Sequence, residues 1–431
     1  MKAIIHRGAK EIGGSCVELI AGDSRILLDF GMPLVNESGD TFDSRKATHG
    51  KSIQDLRKSR LLPNIRGLYR GEDKGIDAIF VSHSHQDHYG LLEYVNPEIP
   101  ICMSNGSKQI IDVTTTFIDR GVDTIGFKTL PNRKPYKAGN FTVTPYLVDH
   151  SAFDAFSYLI EAQGKRLFYS GDFRGHGRKS KLFEAMVAHP PKDIDCLLME
   201  GSMLGRGELK YKDEDAVEKR IEAILRNSSN ITFLFCSCQN IDRIVSAYKA
   251  CLRTDSILVI DIYCAFVLHK LKEISPRLPQ FDWKNIRVKF MRCHANALAR
   301  AGLTELLYLY NHSKIDVAEI NEKKSKILML ARDNSIFPVL VKSIDDTKGT
   351  ALIHSMWEGY ISENLKKFCA DKGLAMEQVH TSGHATLDDL NSFVGALKPK
   401  MLVPIHTFEP RRYPALFDNV IIEADGEMFE V

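Results

Sequence analysis

Up to about residue 205 the apolar residues come in short runs broken by glycine and polar turns, a strand-rich texture. "SCVELIAGDSRILLDFG" reads as two strands joined at Ala21-Gly22-Asp23-Ser24, a hairpin signal. "AIFVSH", "FTVTPYLVDH", "FSYLIEAQGKRLFYSGDF" and "CLLMEGS" are further β-rich runs, several ending in an ionisable residue. From 206 to 350 the pattern changes. "EDAVEKRIEAILR", "NIDRIVSAYKACLR" and "YCAFVLHKLKEI" have helical periodicity, and they alternate with the strand-like "ITFLFC" and "SILVID". Strand alternating with helix predicts a parallel sheet covered by helices. From 351 to 431 the first texture is expected to resume, with strands in "ALIHSMW", "MEQVH" and "MLVPIH" and helices in "ENLKKFCADKG" and "TLDDLNSFVGALK". The expected organisation is therefore 1–205, 206–350 and 351–431, an α/β chain whose middle block leaves the first unit and returns to it.

Composition narrows this only a little. At 431 residues the chain exceeds one typical domain, and 44% hydrophobic with 26% charged residues is ordinary for a globular protein. A net charge of +2 makes any electrostatic footprint a local matter. The nine cysteines form an odd, irregularly spaced set, which suits free thiols in a reducing compartment. No apolar run approaches the roughly 18 residues of a membrane span. The start "MKAIIHRGAKEIGGS" turns polar within seven residues, so no signal peptide is expected and the expected location is cytoplasmic.

The chemistry concentrates in "IFVSHSHQDHYGLL", where three histidines and an aspartate occupy six positions after an apolar strand. In a loop leaving that strand, His83 and His85 can face one way, while Asp87 and His88 lie where the chain starts to coil. Such a loop can offer two imidazoles to one metal ion and a carboxylate with an imidazole to a neighbour. Imidazole mixed with carboxylate suits zinc, manganese or iron.

"HSHQDH" resembles the HxHxDH signature of the metallo-β-lactamase superfamily, and later motifs follow in that family's order. "LLDFG" offers Asp29, "VDHSAFDA" offers His150 and "YSGDFR" offers Asp172. The block beyond Asp172, with "LLMEGS" (Glu200), "HTSGHA" (His384) and "VPIHTFE" (His406), resembles the β-CASP nucleases, which include ribonuclease J. The resemblance implies a metallo-β-lactamase αββα core interrupted by a β-CASP α/β domain. It implies two zinc ions, with manganese as the alternative. His83, His85, His150 and Asp172 would hold one ion. Asp87, His88, His406 and the bridging Asp172 would hold the other. Asp29 would orient a ligand rather than bind metal. Asp87, Glu200 and His384 are the implied catalytic residues, with Glu200 holding His384 in one tautomer. Ser151, Arg174, Ser382 and Gly383 are the expected substrate contacts. The Ser-Gly turn of "TSGHA", read as the start of a helix, would offer a phosphate its backbone N–H groups. His354 and His380 read as structural.

Local charge points to a polyanion. Residues 45–70 carry eight Lys or Arg (Arg45, Lys46, Lys51, Arg57, Lys58, Arg60, Arg66, Arg70) against the single acid Asp55. "FRGHGRKSK" adds Arg174, Arg178, Lys179 and Lys181 just after Asp172, and Arg411 and Arg412 follow His406. The expected function is metal-dependent hydrolysis of RNA phosphodiester bonds by a two-metal mechanism, as a 5′-to-3′ exonuclease or an endonuclease. Single-stranded RNA is expected in preference to DNA, because a histidine at the place of His406 accompanies RNA-acting members of the family. No membrane partner is expected. The rival readings are a hydrolase of small esters or thioesters and a nucleic-acid-binding scaffold with an inactive site.

Overall fold

The computed structural model describes residues 1–36, 41–118 and 121–431. Three sheets organise it. The first has seven strands in the order Met428–Glu430, Lys2–Arg7, Cys16–Ala21, Ser24–Leu28, Ala78–Phe80, Ile101–Met103 and Lys128–Thr129. The second has six, in the order Met401–Ile405, Cys196–Glu200, Lys165–Tyr169, Phe156–Ala162, Phe141–Leu147 and Tyr136–Ala138. Alternation along these strands decides how they stack. Ile5, Val17, Leu19, Leu28 and Phe80 of the first sheet share one buried core with Val143, Tyr158, Ile160, Leu167, Leu198 and Val403 of the second. At about 1.5–3 kcal/mol per large apolar side chain removed from water, this inner layer is the main force holding the sheets together.

The opposite faces carry helices. Leu27, Ile79 and Val81 pack with Leu56, Tyr89 and Ile111, and Leu159, Phe168 and Leu197 pack with Met186, Leu390 and Phe393. The result is an αββα sandwich, as expected. The predicted hairpin is also present, with Ala21 paired to Ser24 across an intervening Gly22 at φ 61°.

The third sheet is parallel throughout, in the order Lys314–Ile315, Ile286–Lys289, Ile257–Asp261, Ile327–Ala331, Thr232–Phe235, Ala351–His354 and Ala375–Gln378. Both faces are buried, which is why "ITFLFC" and "SILVID" read as continuous apolar runs rather than alternating ones. Here one expectation needs correction. Strands 351–354 and 375–378, expected to rejoin the first texture, pair in parallel with Thr232–Phe235 and with each other. The helix Glu363–Lys372 between them makes an ordinary crossover, so the strand–helix alternation continues to Gln378 before the chain returns to the sandwich. Among the described residues no helix is long and apolar enough to cross a membrane. All nine cysteines are unbridged, and only Cys293 is exposed.

Candidate metal centre

The site lies where strands of the first two sheets end side by side. Ala78–Phe80 runs into the histidine loop, Phe141–Leu147 precedes His150, and Lys165–Tyr169 precedes Asp172. Cys196–Glu200 ends on Glu200, and Met401–Ile405 delivers His406. The ends of Ser24–Leu28 and Met401–Ile405 are bent sharply. Asp29 and His406 both take left-handed backbone conformations, at φ 58° and 50°, which cost an ordinary residue free energy and collect at functional sites.

The segment after Asp29 clamps the histidine loop through its backbone. Asp29 N–H donates to the Phe80 carbonyl (2.9 Å), Phe30 N–H to that of His88 (2.8 Å) and Met32 N–H to that of Gln86 (2.9 Å). A Cβ on Gly31 would sit 1.6 Å from the Asp87 carbonyl oxygen, so only glycine allows this approach.

Four of the imidazoles are then oriented by a contact on Nδ1. The Asp29 carboxylate accepts from Ser82 N–H (2.6 Å), the Ser82 hydroxyl (2.9 Å), His88 Nδ1 (2.8 Å) and the Tyr169 hydroxyl. His83 Nδ1 lies 3.0 Å from Ser82 Oγ, His406 Nδ1 lies 2.9 Å from Ser15 Oγ, and His150 Nδ1 donates to the Gly383 carbonyl (2.5 Å). The other ring nitrogens turn inward. His83, His85 and His150 bring ligand atoms within 4.8 Å of one another, and so do Asp87, His88, Asp172 and His406. Asp172 joins the second group, with Oδ2 at 3.2 Å from His88 Nε2 and 3.6 Å from His406 Nε2, and reaches the first at 3.7 Å from His83 Nε2.

The chemistry of these donors fits divalent metal. His83 Nε2, His88 Nε2, His406 Nε2 and both Asp172 oxygens are buried without a hydrogen-bond partner. Polar atoms buried in that way are costly unless something binds them. Burial, then the neighbouring imidazoles, holds His83 well below the ordinary histidine range. Burial likewise lowers His150, and it takes His85 down to about 4, so these rings are neutral donors. Burial opposes protonation of His88 too, but Asp172, Asp29 and Asp87 outweigh it and raise its pKa well above the ordinary value. Burial pushes the Asp172 carboxyl up, and the surrounding histidines more than reverse this, so it stays ionised.

Beside this cluster stands a carboxylate–histidine pair. His384 Nδ1 is 3.2 Å from Glu200 Oε1 and 3.6 Å from Asp172 Oδ2, and its side chain is 22% exposed. Glu200 is fully buried and also accepts from Phe173 N–H (3.2 Å), Ser202 N–H (3.0 Å) and Ala385 N–H (3.4 Å). Burial disfavours a charge on His384, but Glu200 and Asp172 raise its pKa above the usual value.

Two expected substrate features look different in place. Arg174 is completely buried, so it cannot meet a substrate. Its guanidinium bonds Asp242 (2.6 Å) and the Ser382 carbonyl (2.7 Å), with Glu214 at 3.4 Å and Asp149 at 3.5 Å. Arg178 and Lys179 belong to the same internal network, through Glu218, Ser246 and Asp242. The Ser-Gly turn is not a helix start either. The helix begins at Leu387, capped by Thr386 and Asp389 in a reciprocal capping box. Ser382 is buried, and its hydroxyl accepts from His384 N–H (3.0 Å). Gly383 lies against Ser151, where a Cβ would meet Ser151 Oγ at 2.5 Å. Ser15, Ser82 and Tyr169, which orient the centre, were not singled out from the sequence. Only the place of Ser82, immediately before His83, offered a signal.

Known proteins with the same pattern bear on the identity of this centre. Residues 53–223 match the model of a β-lactamase superfamily domain, and residues 373–411 match that of a Zn-dependent metallo-hydrolase RNA specificity domain. Ribonuclease J of Helicobacter pylori is 21% identical over 93% of this chain and 55% of its own length. The probable RNase MJ4 of Methanocaldococcus jannaschii is 28% identical over 50% of this chain and 48% of its own. The chain thus spans about half the length of these curated relatives. A crystal structure of a protein of unknown function from Enterococcus faecalis V583 has the same fold, with a TM-score of 0.80 at 22% identity over 99% of both chains. By these matches the chain resembles the metallo-β-lactamase superfamily, and its His/Asp cluster suits metal ions. Within that superfamily, the relatives it resembles over most of its length are ribonuclease J proteins.

Proposed function

We propose that this chain is a metal-dependent ribonuclease that hydrolyses phosphodiester bonds of single-stranded RNA. The observation that carries the proposal is the convergence of seven ligand residues, six buried and His85 half-buried, beside the Glu200–His384 pair. Two zinc ions, or manganese, would be held by His83, His85 and His150 on one side and by Asp87, His88 and His406 on the other, with Asp172 between. Bound there, such a pair supplies an acidified water and positive charge opposite the phosphate. The chain's own residues do the rest. Asp29 fixes His88 through Nδ1, and the Gly383 carbonyl fixes His150, so each presents its Nε2. Glu200 holds Nδ1 of His384, leaving Nε2 to pass a proton to the departing oxygen. RNA rather than DNA is supported by the RNA specificity domain match across His384 and His406, and by relatives named as ribonucleases. We assign residues 1–205 and the chain after Gln378 to the sandwich, with the parallel-sheet unit between them covering the cleft.

The test is the metal-loaded protein on single-stranded RNA labelled at either end and bearing a 5′ monophosphate, hydroxyl or triphosphate, with matched DNA alongside. Mononucleotides released fastest from the monophosphate would establish 5′-to-3′ exonuclease action. Internal fragments at equal rates from all three would show an endonuclease. Intact RNA combined with turnover of a small thioester would refute the ribonuclease reading.

A further inference from the structure

At the rim of the metal centre three loops bring together side chains that the hydrolytic chemistry does not use. Trp357 and Tyr360, just after the strand Ala351–His354, are 42% and 50% exposed. Their rings are 5.4 Å apart and nearly perpendicular, at 88°. The Arg206 guanidinium lies 4.7 Å from the centre of the Trp357 ring. The arrangement is built rather than incidental. Glu358–Tyr360 forms a single tight turn, in which Tyr360 N–H donates to the Trp357 carbonyl (3.1 Å). The indole packs directly over Gly359, where an added Cβ would meet the ring at 2.3 Å. The Arg206 loop packs in turn against Glu409, and Phe408, two residues past His406, is 49% exposed.

The cluster is also tied to the site through the chain. Arg206 follows Glu200 by six residues, and between them the Ser202 hydroxyl donates to the His406 carbonyl (3.2 Å) while Gly205 lies against Glu409. An apolar patch with no such neighbours would suggest a protein partner or nothing at all. Half-exposed aromatic rings and a guanidinium plane beside a site for phosphate are the components that stack on unpaired bases.

We propose that Trp357, Tyr360 and Arg206 form a base-stacking platform that takes one nucleobase of single-stranded RNA next to the phosphate held at the metal centre. The proposal rests on the ribonuclease reading above for its substrate. It makes the enzyme dependent on an unpaired base without choosing its identity, because every base has a face to stack. It also assigns the parallel-sheet unit, which carries Trp357, a direct part in placing the substrate.

Two measurements test this. The chain has two tryptophans, so Trp283→Phe leaves Trp357 as the only indole reporter. Titration of that variant with oligoadenylate should quench its fluorescence, and an oligonucleotide with abasic positions should not. In steady-state kinetics, Trp357→Ala and Tyr360→Ala should each raise KM for RNA by about 10-fold, the scale of one lost base stack, with a smaller effect on kcat and metal content retained. Trp357→Phe should recover most of the loss. Alanine variants with unchanged KM, together with equal quenching by normal and abasic strands, would overturn the platform. A wild-type protein that cleaves no RNA would instead refute the ribonuclease reading, and the quenching experiment would still decide the platform.

Discussion

Two polar clusters lie side by side in this molecule, and they differ in what their atoms lack. Around His83, His88, Asp172 and His406, ring nitrogens and carboxylate oxygens converge in a buried space without hydrogen bonds. Around Arg174, nearly every charge has its opposite within reach. Arg174 meets Asp242, Glu214 and Asp149, Arg243 meets Glu214, and Arg178 meets Glu218. The second cluster ties the strand end after Asp172 to the helix Ile241–Thr254 and to the "TSGHA" loop. It joins the sandwich to the parallel-sheet unit. The site for chemistry leaves converging donors open, whereas the structural cluster pairs its charges, with only Arg174 Nε and Asp149 Oδ1, 3.5 Å apart, lacking a hydrogen bond in it.

The sharpest way to break this comparison is to remove one member from each cluster. Asp172→Ala should lose metal measured by elemental analysis, and turnover should fall below detection while circular dichroism shows a folded chain. Arg174→Ala should act on stability instead. Leaving Asp242, Glu214 and Asp149 buried without it should cost about 3–5 kcal/mol, read from the midpoint of urea unfolding. If Arg174→Ala keeps its stability and only raises KM, Arg174 is a substrate contact after all.

His384→Ala separates two roles within the open cluster. It should keep most of the metal and lose about 10²-fold in kcat, the usual scale for a positioned acid. Equal loss of metal would make His384 a ligand instead. The smallest effect belongs to the closed cluster. Burial and the neighbouring Arg243 push the His380 pKa down to about 3. Unfolded, the same imidazole titrates near 6.5, so between these values the unfolded chain binds the extra proton and stability falls as pH falls. The contribution is at most about 1.4 kcal/mol per pH unit for one such group. His380→Gln should therefore flatten the loss of stability between pH 6.5 and 5, and an unchanged slope would count against it.

Much of this was legible in the sequence, for reasons that differ by region. The central sandwich strands and the parallel strands both read as short apolar runs because both faces of each sheet are covered, in the sandwich by the facing sheet and by helices. "HSHQDH" could be read because its donors are close along the chain. His150, Asp172, Glu200, His384 and His406 could be gathered only through the family order of motifs, since nothing local says that strand ends so far apart meet. What misled was partnership. "FRGHGRKSK" looks like a basic surface, and its acids lie in distant segments at Glu214, Glu218 and Asp242. Strands 351–354 and 375–378 went to the wrong sheet because their texture suits either one, and only pairing with Thr232–Phe235 settles it.

The central claim is that the open cluster is a two-metal centre for cutting RNA. Stripping the protein with chelator and titrating it with Zn²⁺ or Mn²⁺ while following cleavage of a 5′-monophosphorylated RNA tests this most directly. The account predicts no cleavage in the stripped protein, then a rise to a plateau at two equivalents of metal per chain. Full cleavage by the stripped protein, or none at any metal concentration, would contradict it.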